Sequence, residues 1–271
     1  MVAIITLTTD FGLADSYVAQ MKGVILGINP EVRIVDVSHE IAPQNIREAA
    51  FVLSTVQSSF PKGTIHLIVI DPGVGTKRRA IILRTPQADF IAPDNGILSY
   101  IIQQFSTQTG KQHQIMSSQL EAVTITNSQY FRFPVSNTFH GRDVFAPVAA
   151  HLSLGVPLKS FGKPVTTLEI LPIPAPYLAP DGSLTGEIIH IDGFGNLITN
   201  IRGEDLLSKT LIINIGKKTI SGLSRSYVEG EKLIAIINSN GYLEISVKEG
   251  NASTYLHLGV GSEVKVKPKP D

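Results

Sequence analysis

The segment Val69-Ile70-Asp71-Pro72-Gly73-Val74-Gly75-Thr76-Lys77-Arg78-Arg79 sets a carboxylate at the end of an apolar run, then a Gly-rich turn, then two guanidiniums. Far down the chain, Phe139-His140-Gly141-Arg142-Asp143 sets an imidazole beside another Arg and Asp. If the fold joins these segments, an Asp, an Arg and a His share one pocket. A carboxylate and an imidazole can hold and polarise a water, and a guanidinium can fix the carboxylate, with no metal needed. Either Arg78 or Arg79 could supply that guanidinium. His39, in Val37-Ser38-His39-Glu40, is the competing histidine.

Four carboxylates, Asp10, Asp71, Asp94 and Asp192, fall at strand ends or turns. Ligands of parallel α/β sheets bind at the carboxyl ends of strands, a place that suits Asp10 and Asp71. Capping a helix or closing a turn is the alternative for each. Gly73-Val74-Gly75 follows a strand, but an extended segment follows it. A phosphate cradle needs a helix N-terminus there, so these glycines read as a tight turn that lets the backbone approach a ligand. No HxH or HExxH spacing occurs, and a metal site is not expected. In Asp192-Gly193-Phe194-Gly195-Asn196 an exposed ring beside an amide would suit a purine, and a β-turn with a core Phe is the alternative.

The elements that must position these groups can be read from the chain. Its 271 residues suffice for a large domain and a smaller one. Hydrophobic residues make up 43% and charged ones 17%, a globular composition with much apolar surface to bury, partly between subunits. The formal net charge is zero, so neither a nucleic acid nor an anionic membrane is an expected partner. There is no cysteine, which excludes disulfides, thiolate metal sites and a Cys nucleophile. The N-terminus lacks a basic region and reaches Asp10 too early for a signal peptide, and no apolar run approaches a membrane span. A cytoplasmic protein is expected.

The first part alternates strand and helix: strands over Ala3–Thr8, Val32–Val37 and Thr64–Ile70, with helices over Tyr17–Leu26, capped by Asp15-Ser16, and Ile46–Ser58, capped by Asn45. Unbroken apolar strands with helices between them imply parallel pairing. A hairpin over Ala80–Arg84 and Asp89–Ala92, a helix over Ile97–Phe105, a strand over Glu121–Thr126 and a helix over Asp143–Leu154 follow. The expected fold is thus an α/β N-terminal domain, with a parallel or mixed sheet and flanking helices, over residues 1–170. Four prolines within 171–180 predict a stiff linker. Residues 181–271 read as a smaller all-β barrel, with strands over Leu184–Ile191, Leu197–Ile201, Leu211–Ile215, Leu233–Ile237, Tyr242–Val247 and Glu263–Val266.

Taken in order, Thr8-Thr9-Asp10-Phe11-Gly12, Asp71 through Arg78, Ala92-Pro93-Asp94-Asn95-Gly96, Phe139 through Asp143, Asp192 through Asn196 and Asn238-Ser239-Asn240-Gly241-Tyr242-Leu243-Glu244 span almost the whole chain. Together they resemble the S-adenosylmethionine (SAM) hydroxide adenosyltransferases, adenosine-forming hydrolases related to fluorinating and chlorinating SAM enzymes. The resemblance implies a homotrimer whose active site lies between one subunit's N-domain and its neighbour's C-domain. It implies attack of water at the ribose C5′ of SAM, giving adenosine and L-methionine, with SAM as substrate and no cofactor.

By the same resemblance, the catalytic set falls on Asp71, Arg78 and His140, the spacing favouring Arg78 over Arg79. Asp10 should hold the ribose hydroxyls. Phe194, Asn196 and the backbone near Ala252 should bind adenine. Asp15, Asp192 and Ser239 should face the methionine portion, and Phe139, Tyr227 and Glu244 complete the expected substrate contacts. The halogenating relatives carry a Tyr in place of Asp71 and a Tyr-Ser pair in place of His140-Gly141. They also carry a long insertion after the hairpin turn, for which Asn95–Phe105 leaves no room. A ribose-packing Trp has no counterpart here, with Gln44 or a neighbour in its place, and Asn240 replaces an Arg. These departures favour water over halide as nucleophile, with a SAM chloride adenosyltransferase or a non-catalytic SAM-binding protein as the alternatives.

Overall fold

A computed structural model describes residues 2–105, 117–206, 210–229 and 231–269, and 113–115 by their backbone. The chain divides into two compact units, Met1–Ile173 and Pro174–Asp271. No helix among the described residues is long and apolar enough to cross a membrane.

The first unit runs β1 (Ile4–Thr9), α1 (Tyr17–Ile28), β2 (Arg33–Ser38), α2 (Ile46–Val56), β3 (Thr64–Val69), β4 (Ala80–Arg84), β5 (Ala88–Pro93), α3 (Ser99–Gln103), β6 (His113–Ile115), β7 (Glu121–Thr124), α4 (Ala146–Ser153) and β8 (Thr167–Glu169). Six strands form one sheet in the order β2-β1-β3-β5-β4-β7. Its first four strands are parallel; β4 and β7 run antiparallel to their neighbours. The sheet is therefore mixed, and helices cover both faces. Met21 and Ile25 of α1 join Val148 and Ala149 of α4 on Ile5, Leu7, Ile65 and Leu67. Ala49 and Leu53 of α2 join Ile101 of α3 on Ile68, Ile81 and Phe90. β3 is buried throughout, Thr64 and His66 included, which explains why its sequence is mostly apolar rather than alternating.

Several expectations are corrected. β2 spans Arg33–Ser38 rather than Val32–Val37 and is a half-exposed edge strand, with Arg33 and Asp36 in solvent. Ser16 precedes α1 but does not cap it; its backbone is outside the extended region, and its hydroxyl accepts from Gln20 instead. α1 does not end at Leu26 but runs through Gly27 to Ile28 before Pro30. Asn45 does cap α2, accepting from the Glu48 amide at 3.2 Å, but α2 ends at Val56 and passes into a 3-10 turn over Gln57–Ser59. Within the 97–105 segment only Ser99–Gln103 is helical, after a turn in which Gly96 holds a φ of +92°.

The 143–154 helix has a different start. Gly141–Phe145 form a π-helical turn and the α-helix begins at Ala146. Pro147 has no N–H to offer the Asp143 carbonyl four residues back. That carbonyl accepts from the Arg132 amide at 2.9 Å instead. The widened turn follows directly on His140.

The second unit contains β9 (Tyr177–Leu178), β10 (Leu184–Ile191), β11 (Leu197–Arg202), β12 (Leu211–Ile215), β13 (Lys218–Ser221), β14 (Leu233–Ile237), β15 (Tyr242–Val247), α5 (Ala252–Leu256) and β16 (Glu263–Pro268). Its antiparallel strands follow the order β13-β12-β16-β10-β11-β15-β14, with β9 on β10. The end strands β13 and β14 come back into contact, so the sheet nearly closes into a barrel around Ile188, Leu197, Ile213, Leu243, Ile245 and Val264. The proline-rich stretch is anchored within each unit: Leu171 donates its amide to Ser99, and Tyr177–Leu178 pair with β10.

Candidate active site

In the first unit β3 leads through Ile70 to Asp71, and both Val69, its last residue, and Ile70 are buried. Arg78 reaches back across the turn. Its Nε donates to both Asp71 oxygens, at 2.8 and 3.0 Å, and its Nη2 pairs with Oδ2. The same Nη2 meets His140 Nδ1 at 2.9 Å. The guanidinium also lies 5.2 Å over the Phe145 ring. Asp71, Arg78 and His140 are therefore one hydrogen-bonded set, with the Asp71 and Arg78 side chains largely removed from solvent and His140 half-buried.

The arginine ambiguity resolves on geometry. Arg79, just before β4, takes different partners: its Nε donates to the buried Asp94 at 2.7 Å and its Nη2 to the Thr167 carbonyl at 3.0 Å. Asp94 is thus structural, and it also accepts from the Glu169 amide. Asn95 beside it donates to the Ile70 carbonyl at 2.9 Å, fixing the peptide that leads into Asp71. Sequence reasoning placed Asn95 in a motif but gave it no task.

Gly75 explains how the two distant segments meet. It holds a φ of +75°, and a Cβ there would collide with the Asn137 carbonyl oxygen. The close approach is to this chain's own backbone rather than to a ligand.

Burial and the Arg78 charge lower the pKa of His140 from its ordinary value, with Asp71 and Asp143 opposing. Its neutral form is favoured. Asp143 does not join the set; its fully buried carboxylate takes Arg142, Arg132 and the Ser136 amide. His39 is 4% exposed and ties β1 to β2, with Nδ1 2.8 Å from the Thr9 hydroxyl and Nε2 3.0 Å from Asp36. It is a structural residue.

Asp10 follows β1 and accepts at 2.8 Å from the amide of Gln44. Gln44 has a φ of +64°, a strained conformation for a residue with a Cβ. Phe139 packs edge-on against Phe11 at 5.7 Å and Tyr17 at 5.2 Å, which sets the Asp10 loop beside the His140 loop. Asp15 is exposed in the segment before α1.

The second unit carries the other expected residues. A pocket of about 490 Å³ is lined by Asp192, Phe194, Asn196, Tyr227, Ile234 and Val247, among others. The Asp192 carboxylate organises its rim, accepting from the Phe194 and Asn196 amides and from the Asn196 side chain. Gly195 holds a φ of +83° where a Cβ would collide with Asn251. Phe194 is left 81% exposed, so it is not the core Phe of a plain turn. Tyr227 is 50% exposed, and its hydroxyl donates to Glu244 at 2.9 Å. Burial and that carboxylate push the phenol up to about 12. Ser239 is exposed in the β14–β15 turn. Glu244 is buried beneath Tyr227 rather than facing the pocket, and Ala252 is fully buried in the barrel core.

Among the described residues, no group of three or more His, Cys, Asp or Glu side chains could hold a metal ion.

A family model of the SAM hydroxide adenosyltransferase N-terminal domain matches residues 5–162, and one of its C-terminal domain matches residues 186–265. The chain belongs to the SAM hydroxide adenosyltransferase family. An (R)-S-adenosyl-L-methionine hydrolase of Salinispora tropica is 35% identical over 97% of both chains. A fluorinase of Nocardia brasiliensis is 29% identical over 97% of this chain and 96% of its own. Its match runs over 303 residues, more than this family member contains, so the fluorinase carries inserted residues. The crystal structure of an uncharacterized conserved protein from Thermotoga maritima superposes with a TM-score of 0.85, at 35% identity over 97% of this chain and 99% of that one.

Proposed function

We propose that this SAM hydroxide adenosyltransferase hydrolyses S-adenosyl-L-methionine to adenosine and L-methionine. The observation that carries this is the closed Asp71–Arg78–His140 network. A guanidinium can only donate, so His140 Nδ1 is the acceptor and the neutral ring bears its proton on Nε2. Nε2–H can then donate to a water oxygen. Asp71 Oδ1 accepts one hydrogen bond from Arg78 and keeps a lone pair for a proton of that water.

The step balances without further reactants. The water oxygen forms the bond to C5′ as the C5′–S bond breaks. The bonding pair goes to sulfur, which leaves as the neutral thioether of methionine. The water's surplus proton passes to Asp71 and then to solvent. Sulfonium needs no acid to depart. Water is the weak reactant, with a bulk pKa of about 15.7, and positioned acid–base assistance contributes about 10²–10⁴ in rate. Arg78 holds Asp71 aligned, and the Phe145 ring packs over the guanidinium.

In this reading Asp10 takes the ribose hydroxyls, and Phe194 and Asn196 take the adenine. Asp15, Asp192 and Ser239 face the methionine portion. The two sets meet where one copy's first unit adjoins a neighbour's second unit in a homotrimer. No metal and no cofactor take part, and the enzyme acts in the cytoplasm.

The pure protein incubated with SAM should release adenosine, followed by HPLC, and water enriched in oxygen-18 should label the 5′-hydroxyl. A folded protein giving no adenosine above background overturns the proposal; tight SAM binding in that case marks a binding protein instead. EDTA should not slow the reaction. Mixing a His140→Ala chain with an Asn196→Ala chain and reassembling them should restore activity if sites form between copies, and should not if each chain holds a whole site.

The fluorinase likeness favours a second reading, transfer of the adenosyl group to chloride. Chloride-dependent formation of 5′-chloro-5′-deoxyadenosine would establish it. Asp71 weighs against it, since a carboxylate beside the nucleophile repels an anion.

A further inference from the structure

Glu244 lies on β15 at 3% exposure. Its Oε1 accepts from the Tyr227 hydroxyl at 2.9 Å and the Ser246 hydroxyl at 2.8 Å, and its Oε2 accepts from Asn238 Nδ2 at 3.2 Å. No Lys, Arg or His among the described residues pairs with it. Burying a carboxylate without a cation is costly, and it persists only where donors satisfy it.

All three partners donate in this arrangement, so a carboxylate satisfies them together, whereas an amide could not accept from all three at once. A Gln either sets its NH₂ against Asn238 Nδ2 or turns that NH₂ to the Tyr227 and Ser246 hydroxyls and reverses both bonds. Asn238 cannot flip in response, because its Oδ1 already accepts from the Asn240 amide at 3.0 Å and the Tyr242 amide at 3.1 Å. The three partners come from three places. Tyr227 belongs to the loop after β13 and lines the pocket beside Phe194; Ser246 lines it from β15. Asn238 opens the turn that carries Ser239, closed by the Gly241 amide on the Asn238 carbonyl at 2.9 Å.

We propose that Glu244 is a positioning residue for substrate binding, which holds the Tyr227 wall and the Ser239 turn in one arrangement without touching the ligand. The inference rests on the reading of this pocket as the adenosyl site. Tyr227 supplies a flat half-exposed ring on the same cavity as the 81%-exposed Phe194, which suits a planar heteroaromatic base. Its loop contributes few buried side chains of its own, so the hydroxyl–carboxylate bond sets where the ring stands.

The test uses the full chain with Glu244→Gln, Tyr227→Phe and the double variant. Glu244→Gln should raise KM for SAM about tenfold, the loss of one or two charge-assisted hydrogen bonds, and weaken adenosine binding by calorimetry to a similar extent. Its kcat should stay within about twofold, because the reacting groups are elsewhere. Tyr227→Phe should move KM the same way, and the double variant should add little to Glu244→Gln. A lowered melting temperature with unchanged KM and adenosine affinity makes Glu244 merely structural and overturns the proposal; so do additive effects of the two substitutions. If Glu244→Gln does not fold, Tyr227→Phe decides alone, and an unchanged KM in that variant is fatal. A wild-type protein that makes no adenosine removes the hydrolase reading itself, whereas wild-type turnover with unmoved KM in the variants removes this inference only.

Discussion

Arg78 Nη2 donates to His140 Nδ1 across 2.9 Å, joining residues 62 positions apart in the chain. Protonation of that nitrogen would break the bond and set two cations against each other. The His140 pKa is lowered chiefly by burial and next by Arg78. The neutral, competent ring therefore prevails at neutral pH and is lost only as pH falls below the usual 6.5. kcat/KM should be flat above neutrality, with an acid limb inflecting below 6.5, read from initial adenosine formation in mixed buffers. An inflection above 6.5 would contradict the assigned protonation state.

The two neighbouring arginines should part company under the same substitution. Arg78→Lys loses the fork that holds Asp71 and His140 together, and kcat should fall about 100-fold or more, the scale of a lost preorganised donor. Arg79→Lys disturbs the buried Asp94 and should cost about 1–3 kcal/mol of stability in urea unfolding, with kcat largely kept. The reverse pattern would return the catalytic role to Arg79.

Asn95→Ala removes the donor to the Ile70 carbonyl and the acceptor for the Ile97 amide. A small displacement of Asp71 should lower kcat about tenfold with KM near its wild-type value. Asn95→Asp keeps the acceptor for Ile97 but loses the donor for Ile70, and should be as slow. Recovery in the Asp variant would show that the Ile70 bond is unimportant.

His66 gives a pH-dependent term in stability. It is fully buried on β3, bonded to Thr6 and stacked on Phe90. Burial lowers its pKa to about 4. Below the unfolded value of 6.5 the unfolded chain takes a proton that the folded one refuses. Stability present above pH 6.5 is thus lost as pH falls towards 4, by about 3 kcal/mol at most. Urea unfolding at pH 7 and 4.5 should show the loss, and His66→Leu should flatten it; an equal loss in that variant would assign the effect elsewhere.

Much of this arrangement was legible from residue order. Apolar runs ending in a carboxylate, as at Thr64–Asp71, mark a buried central strand because both faces of β3 are covered. Asp71 and His140 were legible as candidates because their types are unusual at such places. Arg78 and Arg79 were not separable, since adjacent residues on an extended segment face opposite ways and only the tertiary partners, Asp71 and Asp94, decide. β13 escaped notice because Lys218-Thr219-Ile220-Ser221 has one apolar residue, and pairing with β12 supplies what its pattern lacks. The π-helical turn is invisible in periodicity. Its cause, Pro147, is plain in the sequence, but its effect depends on the Arg132 amide arriving from another loop. The burial of Glu244 was not legible, because a motif names a position, not the direction in which its side chain is buried.

The approach of Gly75 to the Asn137 carbonyl has a bearing on durability. The sheet and its helices do not depend on that contact, but the alignment of Arg78 with His140 does. A local opening that parts these two loops would scatter the reacting groups while the strands stay paired, and such openings need less free energy than global unfolding. On heating, hydrolysis should fade some degrees before the far-UV signal changes, and recover on cooling. The working temperature range of the enzyme is then set by one loop-to-loop seam rather than by the melting of its core.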